Sequence, residues 1–436
     1  MTPTIRSVVL FVSALALFTL CAVAQEPDGP PVFEQQLLAG NPEAGAWFGE
    51  NVAIEGDTIV VGARLEDMGT LGHQIDVGAV YVYTRTAGIW SEQQKIEADL
   101  AYYEYGLSYG CSVDVSGDTL IIGSYHWNDF RGFVEVWVRS AGVWILEQRL
   151  FPGDPVSGHY FGFQAAIDGD TVVAGALNTY NSGSAYVFTR SGAVWTQQQK
   201  LVSPASNSGD RFGTWVDIEG DTVAVGDNQY DDGLGIYGSA HVFTRDTGTW
   251  SLEQSLVSSS ADAERFGVPV VLDGDTLAVG DSQEDVVAAD DDAGAAYVFT
   301  RSGTVWSEQQ RLESPDPQLG ARFGRGIAIE AGTLLVGAFN HDTGDVANPG
   351  ALFVFRRTSG AWTAIDMLLS SEPGADGDFG LSVDLSGSTA IIGDRYGNLP
   401  AMDDAGTADV FLVSNIFIFA DGFEDGTTDS WDGVTP

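Results

Sequence analysis

The stretch "DIEGDTVAVGD", residues 217–227, places carboxylates on both sides of a glycine. Such a pattern fits either a calcium loop or a tight turn. Apolar and β-branched residues flank Gly220-Asp221, which predicts two short strands joined by a two-residue hairpin, with glycine supplying a positive φ. A calcium loop needs several oxygen ligands that converge over roughly a dozen residues. The carboxylates here alternate along a strand, so the stretch is interpreted as a turn.

This hairpin belongs to a repeat with fixed internal spacing. In each of seven copies the turn begins eight residues after an aromatic residue that is followed by glycine, and a second glycine lies fourteen residues after that aromatic. The spacing does not slip in any copy, so the repeat is a structural unit. The aromatic residues are Phe48, Tyr109, Phe161, Phe212, Phe266, Phe323 and Phe379.

The rest of the repeat also predicts strands. A short apolar run follows the turn, a third strand such as "GSAYVFTR" (183–190) comes after a variable loop, and a fourth opens with tryptophan, as in "WSEQQRL" (306–312). Four antiparallel strands in roughly fifty residues form a β-propeller blade. We therefore expect an all-β protein, a seven-bladed β-propeller of four-stranded antiparallel blades. The recurring tryptophans are expected to pack inside the blades and not to form a carbohydrate-stacking array.

The two ends of the repeat region complement each other. The segment "VFEQQLL", residues 32–38, has the fourth-strand pattern but precedes the first aromatic-glycine pair. The seventh copy has its third strand at 406–413 and lacks a fourth. We predict that the N-terminal strand becomes the outer strand of the last blade and closes the ring. The propeller would span 25–413, followed by a short tail at 414–436.

The first 24 residues have the features of a secretory signal peptide. A single cation, Arg6, precedes an apolar run from Val8 to Leu20, and Ala22-Val23-Ala24 forms a small-x-small cleavage site. Cleavage after Ala24 would place the protein outside the cytoplasm, at the cell surface, in the periplasm or in the medium. No later segment has 18 consecutive apolar residues, so no membrane span is expected.

Composition excludes some partners and covalent constraints. The formal net charge is −42, which opposes binding to nucleic acid or anionic membranes. Cys111 is the only cysteine after residue 24, so no internal disulfide is expected and the thiol is interpreted as a buried small hydrophobe.

The repeat resembles a known family. Phe-Gly followed by a strand ending in Val61-Gly62-Ala63, and then "GAVYVYTR" (78–85), is similar to the FG-GAP repeat of integrin α-subunits and many exported bacterial proteins. The resemblance covers about residues 32–413 and implies a seven-bladed propeller, often with calcium on one face, that recognises a ligand or mediates adhesion. Calcium-binding members carry an Asp-x-Asp-x-Asp-Gly-type loop where this chain has its Gly-Asp-Thr turns. The family's calcium ligands therefore transfer to no residue here.

Two stretches have the residue types of a catalytic or nucleotide-binding motif without the secondary structure that the motif requires. "GLSYG", residues 106–110, fits G-x-S-x-G, but a strand follows where a nucleophile elbow needs a helix, which argues against Ser108 as a nucleophile. "GLGIYG", residues 233–238, precedes a strand and so is not interpreted as a dinucleotide site. The histidines form no paired ligand motif, and His241 replaces a strand tyrosine, so packing is its expected role. They are His73, His126, His159, His241 and His341.

The loops between strands two and three vary most and should leave one face of the propeller, where binding functions are usually placed. The alternative interpretation of these loops is a solvated acidic rim that keeps the protein soluble. Loop 281–292 offers candidate metal ligands, but it lacks glycine, so we expect no tight calcium site; flexible sites bind calcium at roughly 10⁻⁴–10⁻³ M. No other cofactor is expected. The candidate ligands are Asp281, Asp285, Asp290, Asp291 and Asp292.

These observations favour an exported, non-enzymatic propeller for recognition or adhesion, with an unknown protein or glycan ligand held by the loops between strands two and three. The alternative is a secreted hydrolase or lyase acting on polysaccharides at the propeller face. That activity would require His, Asp or Arg side chains converging from several blades, which the linear sequence does not display.

Overall fold

The strands of the protein build seven four-stranded antiparallel sheets. The computed structural model describes residues 30–67, 76–98, 106–177, 182–204, 211–228, 238–286, 291–344, 346–374, 376–399 and 402–413. Within these ranges the only helical element is a short turn, α1 (Trp127–Phe130), which includes left-handed residues. No helix in the described part of the chain is long and apolar enough to span a membrane.

Each sheet is one blade, and in blades 1 to 6 the strands follow chain order from the propeller axis outward. Blades 1 to 3 consist of β2 (Phe48–Glu55), β3 (Thr58–Ala63), β4 (Ala79–Thr86) and β5 (Ile89–Glu97); β6 (Ser112–Ser116), β7 (Thr119–Ser124), β8 (Phe133–Ser140) and β9 (Val143–Leu150); β10 (Phe161–Asp168), β11 (Thr171–Ala176), β12 (Ser184–Ser191) and β13 (Val194–Leu201).

Blades 4 to 6 repeat this order. They consist of β14 (Phe212–Glu219), β15 (Thr222–Asp227), β16 (Ser239–Asp246) and β17 (Thr249–Leu256); β18 (Val270–Asp273), β19 (Thr276–Asp281), β20 (Ala295–Ser302) and β21 (Val305–Glu313); β22 (Phe323–Glu330), β23 (Thr333–Ala338), β24 (Ala351–Thr358) and β25 (Ala361–Leu368).

Blade 7 is assembled from both ends of the described chain. It contains β26 (Ser382–Ser386), β27 (Thr389–Asp394) and β28 (Thr407–Leu412), and its fourth strand is β1 (Val32–Leu37), which pairs antiparallel with β28. The first strand of every blade contacts that of the next, and β26 contacts β2. The predicted seven-bladed fold and its closure by the N-terminal strand are therefore confirmed.

The turn in the opening stretch is a two-residue hairpin. Glu219 pairs with Thr222, and Gly220 between them has a φ of 56°. The carboxylate of Asp221 accepts a hydrogen bond from Nε of Arg245 at 2.6 Å. Gly220 N–H in turn donates to Asp168 of the preceding blade at 2.6 Å. The carboxylates of this region therefore join strands and blades, as expected of a turn.

Apolar packing holds neighbouring blades together. The second strand of each blade is buried over its whole length, as in β15. One core cluster combines Val60 and Val80 of blade 1 with Val113 and Leu120 of blade 2. Burial of this kind stabilises by roughly 25 cal/mol per Å² of apolar surface removed from water. The predicted packing role of the tryptophans is confirmed, because these side chains are only 1–3% exposed: Trp90, Trp144, Trp195, Trp250, Trp306 and Trp362.

The two repeat glycines meet at every blade junction. In blade 4, a Cβ on Gly226 would overlap the carbonyl oxygen of Gly267 in blade 5. The same contact joins each remaining pair of neighbours, so both positions require a residue without a side chain. The fixed spacing of the repeat thus follows from close backbone approach between blades. The other pairs are Gly62–Gly110, Gly123–Gly162, Gly175–Gly213, Gly280–Gly324, Gly337–Gly380 and Gly393–Gly49.

Candidate functional site

A channel runs along the propeller axis between the first strands of all seven blades, with a volume of about 140 Å³. Three carboxylates face it: Asp114, Asp217 and Asp384. Each of these carboxylates accepts a hydrogen bond from the backbone N–H of the residue that follows it. Each also accepts a hydrogen bond from a backbone N–H of the next blade; Asp384 Oδ2, for example, accepts from Ile54 N at 2.7 Å. Burial raises the pKa of Asp217 to about 6 and that of Asp384 to about 7. These groups therefore fasten neighbouring blades together.

At one end the channel opens into a pocket of about 70 Å³. We call it the mouth and define it by Glu50, Arg64, Tyr125, Trp215, Arg325 and Arg395. The mouth opens on the face from which the loops between strands two and three depart. Arg64, Tyr125 and Arg395 each directly follow a second strand, whereas Glu50, Trp215 and Arg325 lie near the start of a first strand. Rigid strands therefore position all six side chains.

Glu50 organises one side of the mouth through two ion pairs. Its carboxylate lies 2.7 Å from Nε of Arg64 and 3.3 Å from a terminal nitrogen of Arg395. Arg395 Nε also pairs with Asp378 at 2.5 Å, and Arg64 donates to the hydroxyl of Tyr125 at 2.8 Å. Arg64 and Arg395 are thus neutralised and fixed in place by protein groups.

Arg325 lies on the other side and differs from these two arginines. Its guanidinium has no ion pair or hydrogen bond with any described residue, and its carbon lies 5.2 Å from the ring centroid of Trp215. Burial, and then the charge of Arg395, lower the pKa of Arg325 to about 10. The side chain is still a cation at neutral pH. The mouth therefore contains a half-buried positive charge without a counter-ion among the described groups.

Three more arginines lie near the mouth. Arg211, Arg265 and Arg322 directly precede the Phe-Gly pairs of blades 4, 5 and 6. Partial burial, then the charges of Arg322 and Arg211, lower the pKa of Arg265, which indicates that these cations are close to one another. Arg322 pairs with Asp292 at 3.1 Å. With those of the mouth, six of the chain's 19 cationic residues gather at this end of the channel, in a protein of net charge −42.

An aromatic cluster adjoins the mouth above blades 2 and 3. Tyr125 lies 5.3 Å from Phe163 and 6.0 Å from Tyr160, and Phe130 lies 5.1 Å from Tyr160, between ring centroids. Tyr125 and Phe163 also line the mouth, while Phe130 is 39% exposed. This end of the channel therefore combines cations with an aromatic cluster in which Tyr125 is buried, Tyr160 and Phe163 are half-buried and Phe130 is exposed.

The acidic loop selected from the sequence is held together by its own carboxylates. Asp281 is buried and accepts the backbone N–H groups of Glu264 and Arg265, both at 2.9 Å. Asp285 accepts the N–H of Asp291 at 2.7 Å. Burial raises the pKa of Asp281 to about 7. These carboxylate oxygens face backbone donors instead of a common centre.

The remaining loop carboxylates are also separated. Asp291 accepts the N–H of Val286 at 3.0 Å, and Asp292 pairs with Arg322 as described above. Asp290 lies outside the described residues. No three His, Cys, Asp or Glu side chains in the described ranges are grouped so that they could hold a metal ion. Among the described residues, the structure thus does not bring the candidate calcium ligands together in a metal site.

The G-x-S-x-G match is part of the repeat. Ser108 is 2% exposed, and its Oγ lies 3.3 Å from Nδ1 of His126, which also lies 3.1 Å from the carbonyl oxygen of Gly106. The positive φ of Ser108 recurs at the residue before the aromatic in other blades, namely Trp47, Tyr160 and Arg322. The serine therefore owes its backbone conformation to the blade and not to a nucleophile elbow.

Two other sequence interpretations are confirmed. His241 is 3% exposed and lies within hydrogen-bond distance of Ser239 and Ser255, at 3.0 and 2.8 Å. Cys111 is buried, and burial raises the pKa of its thiol to about 12. Most of "GLGIYG" (233–238) lies outside the described residues.

Sequence reasoning missed the arginines of this face. A usable signal existed, because "RFG" occurs at 211–213, 265–267 and 322–324, the same register position in three successive copies. Arg64 and Arg395 likewise occupy one equivalent position, sixteen residues after the aromatic. Arg325 has no such signal, because no other copy of the repeat has an arginine at the equivalent position.

Comparison with known proteins gives one family and distant structural likenesses. A family model described as FG-GAP repeat matches residues 31–83, 144–188, 195–243, 250–299 and 306–355. No curated protein matches. Sqt1 of Chaetomium thermophilum is 13% identical with a TM-score of 0.48, covering 84% of this chain and 83% of that one. The periplasmic gluconolactonase PpgL of Pseudomonas aeruginosa is 15% identical with a TM-score of 0.47, covering 75% and 86%. Likenesses this remote carry no argument about function.

Proposed function

The chain belongs to the FG-GAP repeat family, and we propose that it is an exported, non-enzymatic propeller for recognition or adhesion. Its ligand is a protein or a glycan that binds the face with the mouth and the loops between strands two and three. Export is supported by the signal-like residues 1–24, which are cleaved after Ala24 in this proposal.

The mouth is the observation that carries this proposal. Side chains from six blades meet there, on strand ends that the closed ring holds rigidly. Pre-organised polar and aromatic groups at a concave site lower the entropic cost of binding. Glu50, the acidic residue among those that define the mouth, forms ion pairs with Arg64 and Arg395. Because two cations already occupy its carboxylate, the mouth is better suited to binding than to general-base catalysis.

Binding arrays test the proposal directly. The secreted protein, labelled at its C terminus, is applied to arrays of glycans and extracellular matrix proteins. We expect at least one class of ligand to bind, and Arg265→Glu, on the mouth face, to weaken that binding. Val305→Glu is the matched control, because Val305 is 57% exposed at the start of an outer strand and faces away from the mouth.

Activity screening addresses the alternative enzyme. The same polysaccharides are incubated with the protein, and the release of new chain ends is measured. Turnover that depends on residues of the mouth would contradict the non-enzymatic proposal, as would an array with no ligand at all.

A further inference from the structure

The charge balance of the mouth points to the chemistry of its ligand. Arg64, Arg325 and Arg395 face the carboxylates of Glu50 and Asp378, so one positive charge remains. Both carboxylates contact Arg64 or Arg395, and neither pairs with Arg325. The surplus charge is therefore located on Arg325. A half-buried cation is stabilised when an anion binds beside it.

Arg325 is oriented for such an anion. Its guanidinium carbon lies over the Trp215 ring, 5.2 Å from the centroid, and its N–H groups form no hydrogen bond with a described residue, which leaves them for a planar acceptor. A carboxylate accepts two parallel hydrogen bonds from this edge. The mouth also presents the side-chain amides of Asn51 and Gln164, and its volume of about 70 Å³ admits a group of carboxylate size. Because Arg325 and Trp215 lie on the first strands β22 and β14, the stack is positioned by the rigid ring.

The electrostatic field of the whole protein restricts anion binding to the mouth. With a net charge of −42, the protein as a whole repels anionic ligands. Arg211, Arg265 and Arg322 offset that repulsion near the mouth. An anionic ligand is therefore accepted at this end of the channel and opposed over most of the remaining surface.

The aromatic cluster beside the mouth selects among carboxylate-bearing ligands. Phe130 and Tyr160 present rings next to the mouth-lining Tyr125 and Phe163. Sugar rings have apolar C–H faces that pack on aromatic rings, whereas acidic peptide side chains offer flexible methylene groups. A uronic acid residue combines both features, since its carboxylate extends from a ring.

We propose that the mouth is a carboxylate site for an acidic glycan, in which Arg325 binds a uronate carboxylate while neighbouring sugar rings pack on Phe130, Tyr160 and Phe163, the members of the aromatic cluster that surround the buried Tyr125. This inference rests on the proposed recognition function and names the class of its ligand. Arg325 is the principal anion-binding group, and Trp215 positions it.

Calorimetric titration with defined oligosaccharides tests the site. Trigalacturonate is the probe, galactotriose is its neutral counterpart, and tetraglutamate represents an acidic peptide. We expect trigalacturonate to bind more tightly than either, and to bind less tightly as salt is raised. Arg325→Gln should weaken trigalacturonate binding at least tenfold, because a charge-assisted pair is lost.

The same blade provides the matched control. Arg357 is also stacked on a tryptophan, at 5.9 Å from the Trp362 ring, and has no carboxylate partner among the described residues, but it lies at the opposite face. Arg357→Gln should leave affinity unchanged. Phe130→Ser should weaken trigalacturonate binding through the aromatic cluster without altering the charge of the mouth. It also tests the site should Arg325→Gln fail to fold.

The outcomes separate this inference from the proposed function. Equal affinity of wild type and Arg325→Gln for trigalacturonate, or tighter binding of galactotriose or tetraglutamate, overturns the uronate site. A ligand found on the arrays would leave the recognition function standing in that case. If neither the arrays nor the titrations detect a ligand, both are wrong.

Discussion

The side-chain amide of Gln35 pairs with the backbone of Trp90: Nε2 donates to the carbonyl oxygen at 2.9 Å, and Oε1 accepts from the N–H at 3.0 Å. The same double hydrogen bond joins Gln310 to Trp362 between blades 5 and 6. The N-terminal strand thus contacts blade 1 in the way that the fourth strands of blades 1 to 5 contact the next blade.

Ring closure by β1 should contribute strongly to stability. Deleting residues 30–38 removes a whole outer strand, exposes the edge of β28 and uncovers the core around Leu37, which is 2% exposed. We expect a large drop in the thermal unfolding midpoint. Gln35→Ala and its control Gln310→Ala should each cost about 1–2 kcal/mol, because each breaks two hydrogen bonds of one kind. An unchanged midpoint after the deletion would refute the closure.

Glycine substitutions should differ sharply between turns and blade junctions. Gly220 has a φ of 56° and open space around it, so Gly220→Ala should cost about 1 kcal/mol from the backbone alone. Ala331 already occupies the equivalent turn position with a φ of 48°, and Ala331→Gly should be neutral or stabilising. Gly226→Ala should cost much more, because its Cβ would overlap Gly267. Chemical denaturation measures all three, and equal costs would contradict this explanation of the repeat.

Stability should fall as the pH rises from about 4 to about 7. Burial raises the pKa of Asp384 and that of Asp394 to about 7, so the folded protein binds more protons than the unfolded chain within this range. A carboxyl pKa that is higher by one in the folded protein corresponds to about 1.4 kcal/mol of stability, which is lost once the folded carboxyl ionises. We expect a higher unfolding midpoint at pH 5 than at pH 8. Asp384→Asn should reduce that difference in unfolding midpoint. The control Asp366→Asn, on the outer strand β25, should leave it unchanged. Identical pH profiles for the wild type and both variants would show that the buried carboxyl of Asp384 does not cause the pH dependence.

Chelation of divalent ions should have little effect on stability. Asp281, Asp285 and Asp291 accept backbone N–H groups, and this leaves them poorly placed to converge on a calcium ion. Thermal unfolding with excess chelator is compared with unfolding in millimolar calcium. A difference above about 8 °C would correspond to several kcal/mol of linked binding and would show that a tight site exists.

The sequence by itself determined the blade. Alternation, turn residues and the two glycines are local patterns, and their fixed spacing in seven copies was enough to predict the hairpins, the blade number and the outer position of residues 32–38. The turn at Asp221 is an example, because its two-residue length can be predicted from Gly220 and the adjacent strands alone. The hairpins depend only on neighbours within one repeat, and the blade number and the place of residues 32–38 follow from comparing the copies with one another.

Only the tertiary structure decided the site. Glu50 and Arg395 are 345 residues apart, yet they form one ion pair, because closing the ring brings the first and last blades together. Trp215 and Arg325 meet in the mouth although they belong to blades 4 and 6, which blade 5 separates. No local pattern encodes these contacts, since each side chain occupies an ordinary strand position in its own repeat. The convergence of cations arises from the circular arrangement of blades, which places equivalent strand ends around a single opening.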